Sequence, residues 1–466
     1  MRSRFSNLLV LAVVAVLAAL PAGAAGPKNV SIGGDVVTGG LTVDQELARQ
    51  LELNASLKGS EPVASMVRQV RVPVTSEEMA AIEQVDRSES PLRIGLVKAM
   101  APPVMVNGIE QSRIRATDGL TTWAMAIVAD QGGAIRLHIE NMSLPSGAEL
   151  YVYNRNGEAF GPYTGRGEDG TGDLWTTAVF GPEAILQLRA PADAAADLRG
   201  VTLRITEVGI VSSSFAGPAP DAPAVSFCGN PDCIVDASCY AGGNSIRDAY
   251  AKMEWVAGAF LYTCTGAVLN DTNPSSANYF LTANHCLSKA NVAKNVTFYW
   301  RFRTSTCNGS CPQNNTWSLK TTGSSVAATN RTGDYTLLQL TANPPAGTVR
   351  LGFTNAPVAN TNGVALHRVS NPNFGPQVYN EQTVSTSAPT CQGWPRGQRI
   401  YSYTTLGGTD GGSSGSPVVN ASDQVVGQLS GGCGTNVNDP CDNTHNATVD
   451  GALASYWSAV QPFLAP

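Results

Sequence analysis

The stretch Gly412-Ser413-Ser414-Gly415-Ser416-Pro417 is the most informative in this chain of 466 residues. It is read with Thr282-Ala283-Asn284-His285-Cys286 and Gly333-Asp334-Tyr335-Thr336-Leu337-Leu338. Together the three segments offer a serine, a histidine and an aspartate. A serine hydroxyl is a poor nucleophile until an imidazole takes its proton, and the imidazole needs a carboxylate to fix its tautomer. Each segment borders an apolar, strand-like run: Phe280-Leu281-Thr282, Tyr335 to Leu340 and Gln424 to Leu429.

Working outward, length and composition describe an exported, multidomain, β-rich protein. A chain this long suggests two or three domains. Charged residues make up 14% and the formal net charge is -6. That balance supplies no basic field, so nucleic acid is not expected as a partner. Arg2 and Arg4 precede an apolar run from Leu8 to Leu20, and Ala22-Gly23-Ala24 follows. This is the pattern of a signal peptide over residues 1–24, too short for a membrane anchor. No later segment is apolar enough to span a bilayer, so the expectation is a secreted monomer without membrane contact once the signal is removed.

The ten cysteines all lie between Cys228 and Cys441. In an exported chain such clustering predicts disulfides. A metal site is disfavoured by the loose Cys228/Cys233 and Cys307/Cys311 spacings, and no cofactor is expected. The onset of cysteine also marks a boundary. Ahead of it lies Phe215-Ala216-Gly217-Pro218-Ala219-Pro220-Asp221-Ala222-Pro223, a linker placed at 213–227.

Upstream, helical patterns dominate from Leu41 to about Met100, with Leu47, Leu51 and Leu53 on one helix and a capping box at Thr75-Ser76-Glu77-Glu78. Residues 25–115 are therefore expected to form a partly helical pro-segment. From Thr121 the period becomes two, as in Ala134-Ile135-Arg136-Leu137-His138-Ile139. Residues 116–212 are expected to form a β-sandwich-like domain, with His138 as a structural residue on one strand.

Residues 228–466, about 240 in length, suit a two-barrel unit. The order His, Asp, Ser is that of chymotrypsin-type serine proteases. Cys264-Thr265-Gly266, the His285 and Asp334 segments, the Ser414 loop and Gly427-Gln428-Leu429 resemble the bacterial lysyl endopeptidases from about Cys233 to Trp457. Leu144 to Gly165 also resembles the β-rich domain ahead of the protease in some precursors of that family.

The resemblance implies a chymotrypsin-like two-barrel fold and a serine endopeptidase acting on protein or peptide substrates. His285 is then the general base, Asp334 the orienting acid and Ser414 the nucleophile. The backbone N–H groups of Gly412 and Ser414 form the oxyanion hole. Ser430, Gly431 and Gly432 line the channel, pairing with an extended peptide. By the same resemblance Cys264 pairs with Cys286, Cys239 with Cys307, and Cys233 with Cys433 or Cys441; pairing of the remaining cysteines stays open.

The chain departs from the family in one place. Thr448 stands where a lysine-binding aspartate is expected, which leaves Asp410, Asp442 and Asp450 as other acids near the pocket. Ser413, the residue before the nucleophile, is a neutral residue that cannot pair with a freed N-terminal ammonium, and the lysyl endopeptidases share this feature. Activation of a zymogen would thus uncover the cleft. Two rivals use the same residues. Gly411-Gly412-Ser413-Ser414-Gly415 also fits G-x-S-x-G, which in an α/β-hydrolase esterase would make Ser413 the nucleophile with His445 downstream. A catalytically silent binding protein on a protease fold is the other.

Overall fold

The computed structural model describes residues 29–62, 64–84, 90–109, 115–117, 119–192, 198–215, 227–273, 277–312, 319–391 and 393–466. The expected signal peptide, and residues 216–226 of the expected linker, lie outside the described residues. The molecule is mainly β, with a sandwich ahead of two barrels.

The sandwich is made of two sheets. One orders the strands Arg68–Val72, Leu120–Ala129, Glu183–Pro191, Glu149–Tyr153 and Ala159–Thr164. The other contributes Leu174–Trp175, Ala134–Ser143, Thr202–Val211 and Leu92–Asn107. Met125, Ile127, Leu137, Ile139, Leu186 and Ile205 are buried between them. Alternation puts every second side chain on the inner face. His138 is structural: it stacks on Trp175 with centroids 4.7 Å apart and bonds Glu207 and Asp173.

Helix is less extensive than the pattern from Leu41 to Met100 predicts. Two helices form, Val43–Ser60 and Ser76–Glu83. The box at Thr75 closes in both directions, Glu78 N donating to Thr75 Oγ1 and Thr75 N to the Glu78 carboxylate. On the first helix Val43, Asn54 and Leu57 face inward, whereas Leu51 is exposed. From Leu92 the chain is a strand. Leu92, Ile94 and Leu96 alternate inward, as do Val104 and Val106. Pro102 and Pro103 fall where the ladder to Thr202–Val211 shifts register, between Ala99 and Val104. A proline costs no ladder bond there.

Downstream, Tyr250–Ala257, Phe260–Leu269, Tyr279–Thr282, Tyr335–Leu340 and Ser324–Asn330 form the first barrel with Thr297–Trp300 and Leu319–Thr322. Its core holds Met253, Val268, Phe280, Phe298, Trp300 and Leu338. In the second barrel Ala365–Ser370, Val378–Val384, Arg399–Gly407, Asn446–Ala452, Gln424–Gly434 and Pro417–Asn420 pair in a closed ring. Helix Leu453–Leu464 packs through Leu453, Tyr456, Val460 and Leu464 into a core that both barrels share.

The sandwich and the first barrel share one sheet. Strand Leu92–Asn107 pairs with Thr202–Val211 on one edge and with Phe260–Leu269 on the other, Leu92 opposite Thr263 and Leu96 opposite Phe260. Two buried ion pairs cross the same boundary. Arg136 meets Glu254 at 3.4 Å, and Lys320 contacts Glu158. Segment Ser31–Ile32 pairs with Gly352–Thr354.

Candidate active site

Each candidate side chain sits where a strand of one barrel ends at the groove between the two. His285 follows strand Tyr279–Thr282, and Cys286 is bridged to Cys264 on the neighbouring strand. Asp334 precedes strand Tyr335–Leu340 in a tight turn at φ 52°. Asp334 N donates to Arg331 O, and Asp334 O accepts from Asn284 N and from Gln428 Nε2. Tyr456 Oη in turn holds the Gln428 amide. The left-handed turn is thereby fixed from three sides.

His285 Nδ1 lies 3.1 and 3.0 Å from the two Asp334 oxygens, and His285 N donates to Oδ1 at 3.0 Å. Burial on its own would raise the Asp334 carboxyl. The His285 side-chain bond and charge, Ser430 and the His285 amide outweigh it and hold the carboxyl below its usual range. Ser430 Oγ contributes from close by without closing a well-formed hydrogen bond. His285 Nε2, on the far side of the ring from Asp334, is buried and bonded to no described group, and the residue lines the groove.

Ser414 Oγ is 3.0 Å from Ser90 Oγ, not from the imidazole. Ser90 lies two residues ahead of the start of strand Leu92–Asn107, and it lines the groove together with His285, Ser414, Ser430 and Gly431. The loop beneath Ser414 is tightly held. Thr265 N donates to Ser414 O at 2.9 Å and Thr265 Oγ1 to Gly412 O at 2.9 Å. Gly415 has φ +81°, and a Cβ there would stand 2.2 Å from Thr282 Oγ1, so only glycine fits. Asn373 N donates to Gly411 O at 2.6 Å and holds that carbonyl. Among the described residues neither Gly412 N nor Ser414 N has an acceptor. Two N–H groups in one loop beside a serine can bind an oxyanion.

Ser413 is fully buried, and its Oγ is bonded to Ser370 Oγ at 3.0 Å. His445 lies at the surface on Asp442. Those two residues form no site together. Cys264, His285 and Cys286 cluster closely, but both sulfurs are in the bridge and cannot bind metal.

Of the other expected site residues, Ser430, Gly431, Gly432 and Thr448 all line the groove. Thr448 is opposite Gly432 in the ladder and shares a long bond with Thr404 Oγ1. Asp410, Asp439 and Asp442 border the same groove. Asp450 does not. It is fully buried and tied to Arg368 at 2.6 Å and Gln382 at 2.9 Å. Cys239 pairs with Cys307, and Cys233 with Cys441, not Cys433. Cys433 instead pairs with Cys391, and Cys228 with Cys311.

Three groove residues carry no signal in the sequence. Ser90 arrives from a distant domain. Trp394 lies over Gly431, its Cη2 3.3 Å from where a Cβ would stand. Arg399, at the start of strand Arg399–Gly407, looks in sequence like any surface arginine yet is 2% exposed.

The chain is similar to known proteases. Residues 229–449 match the family described as lysyl endopeptidase, C-terminal domain. A lysyl endopeptidase of Pseudomonas aeruginosa is 28% identical over 359 residues, covering 74% of this chain and 74% of that protein. A secreted RxLR effector protein 73 of Plasmopara viticola is 26% identical over 285 residues, covering 58% of this chain and 67% of its own. Among solved structures, the active form of the Rv3671c protease from M. tuberculosis aligns at 16% identity with a TM-score of 0.33, covering 54% of this chain and 90% of that one.

Proposed function

The chain being a lysyl endopeptidase-like serine endopeptidase, we propose that Ser414 is its nucleophile, His285 its general base and Asp334 the acid that orients His285. The observation that carries this assignment is the double Nδ1 contact of His285 to Asp334, which leaves Nε2 on the far side of the ring of a residue that lines the groove with Ser414. Ser414 Oγ adds to the peptide carbonyl carbon as its proton passes to His285 Nε2. The oxyanion forms against Gly412 N–H and Ser414 N–H. The C–N bond then breaks, Nε2 returns the proton to the leaving amine, and water hydrolyses the acyl-enzyme by the same steps. Ser414→Ala should lower the rate by several orders of magnitude, to the residue left by binding and the oxyanion hole. Full activity in Ser414→Ala with none in Ser413→Ala would sink the assignment.

Residues 26 to about 225 act as a pro-region of a secreted zymogen. Two contacts support this: Ser90 Oγ on Ser414 Oγ, and the pairing of Leu92–Leu96 with Phe260–Thr263 beside the nucleophile. An added strand of this kind holds a peptide by main-chain bonds. The hold of Asn373 on Gly411 O supports an oxyanion loop that needs no rearrangement on activation. N-terminal sequencing of active enzyme from culture medium should give a start between about Ser213 and Cys228. A start near Gly26 in fully active enzyme counts against removal. Five disulfides accord with an oxidising destination.

At the residue preceding the cut, a basic side chain fits best. The relatives' name points to lysine, and Asp410 and Asp442 border the groove near Thr448. Asp442 is held down to about 2, by the Asn436 side chain first and then by the His445 amide, so it is anionic at any working pH.

A further inference from the structure

The groove is lined by acids and by arginines: Asp410, Asp439 and Asp442, and Arg331 and Arg399. Both arginines lie near Asp334, whose charge reaches Arg399 and whose N–H donates to Arg331 O. Arg331 is exposed, on the turn whose carbonyl caps Asp334 N. Arg399 is buried, and its Nε has no partner among the described residues. Among the described residues its side chain makes one hydrogen bond, from Nη1 to the adjacent Gln398 carbonyl at 3.3 Å. Its Cζ lies 5.8 Å from the centre of the Trp394 ring. The two acids whose charge reaches it are engaged elsewhere, Asp334 with His285 and Asp450 with Arg368. A buried guanidinium without a carboxylate is costly, and a ligand carboxylate would offset that cost bidentately.

An extended peptide pairing with Ser430–Gly432 turns alternate side chains to opposite sides. P1 therefore points to one side of the groove, and P2 and P4 to the other. We propose that Arg399, assisted by Arg331, forms a carboxylate-binding subsite that selects peptides with Asp or Glu at P2 or P4. This rests on the serine endopeptidase assignment above and adds a substrate class to it.

The test is a digest of a peptide library by active secreted enzyme, varied at P1 to P4 and read by mass spectrometry. Glu should exceed Gln at P2 or P4 by about tenfold in kcat/KM, as for a charge-assisted hydrogen bond. The preference, read as the ratio of Glu to Gln peptides within each enzyme, should fall to about unity in Arg399→Gln. Arg331→Gln, at an exposed site that should tolerate the change, should weaken it in part. Equal rates for Glu and Gln in wild type would overturn the proposal. So would a preference that survives both substitutions. A uniform loss on all peptides with a shifted pH profile in Arg399→Gln would assign the residue to positioning Asp334 instead. Ser414→Ala in the same digest reports separately on the nucleophile, and P1 is read independently of P2 and P4.

Discussion

At the scale of single residues, Asp334 connects the electrostatics of the site to its stability. It accepts from both the ring and the amide of His285, and these bonds overcome its burial. Asp334→Asn should lower kcat by about 10⁴-fold, because the imidazole loses the acceptor that fixes its tautomer. A rate within tenfold of wild type, measured on an ester substrate, would refute the orienting role. The same residue predicts a pH dependence of stability. A carboxyl depressed in the folded state stabilises above its unfolded value, about 3.9, and that contribution is lost as pH falls through the folded value. In a Ser414→Ala background, the stability lost on Asp334→Asn should be full at about pH 6 and shrink below about pH 4. A loss that grows in acid would reverse the sign and exclude this account.

Among the elements, strand Leu92–Asn107 has the largest reach, since it belongs to the sandwich and to the first barrel at once. At Gly95 it passes close against its neighbour. A Cβ there would stand 2.2 Å from the Ile210 carbonyl oxygen, and backbone cannot yield as a side chain can. Gly95→Val should push the strands apart at a cost of about 1–3 kcal/mol. It should also loosen Ser90 from Ser414, so the uncleaved precursor should titrate faster with a small active-site reagent. A precursor that melts earlier but stays as silent as wild type would show that this strand does not guard the groove. From sequence its first half is expected to belong to a helical region reaching about Met100, although Leu92, Ile94 and Leu96 alternate inward in the strand. The prolines at 102 and 103 and the charged stretch before it obscure the period. What keeps the strand intact is the bulge they occupy, and a bulge is a property of two strands together.

Across the whole molecule, the sandwich is joined to the first barrel by buried charge as well as by strand pairing. Lys320 and Glu158 are both almost fully buried, burial raising the Glu158 carboxyl and lowering the Lys320 ammonium while each opposes the shift of the other. Removing one partner strands the other charge in a dry interface. Glu158→Gln should therefore destabilise the precursor by about 3–5 kcal/mol, and Glu158→Gln with Lys320→Met by clearly less. Chemical denaturation of the Ser414→Ala precursor measures both. Additive losses in the double variant would show that the pair is not coupled.

The candidate residues of the groove could be picked out along the chain because each is marked by a local pattern. A serine between small residues, a histidine before a bridged cysteine and an aspartate before an apolar run are patterns of a few residues each. The alternation that makes strands is local too, and it announced both the sandwich and the barrels. Four things needed distant segments to meet. Asp450 looked available until Arg368, from another strand, neutralised it. Cys233 had two possible partners until the fold brought it to Cys441. Arg399 became a buried cation only when strands Asn446–Ala452 and Arg399–Gly407 paired and Trp394 closed over it. Ser90 reached Ser414 across 324 positions because one strand bonds two sheets. Burial and charge neutralisation depend on which surfaces are apposed, and no window of neighbouring residues contains that information.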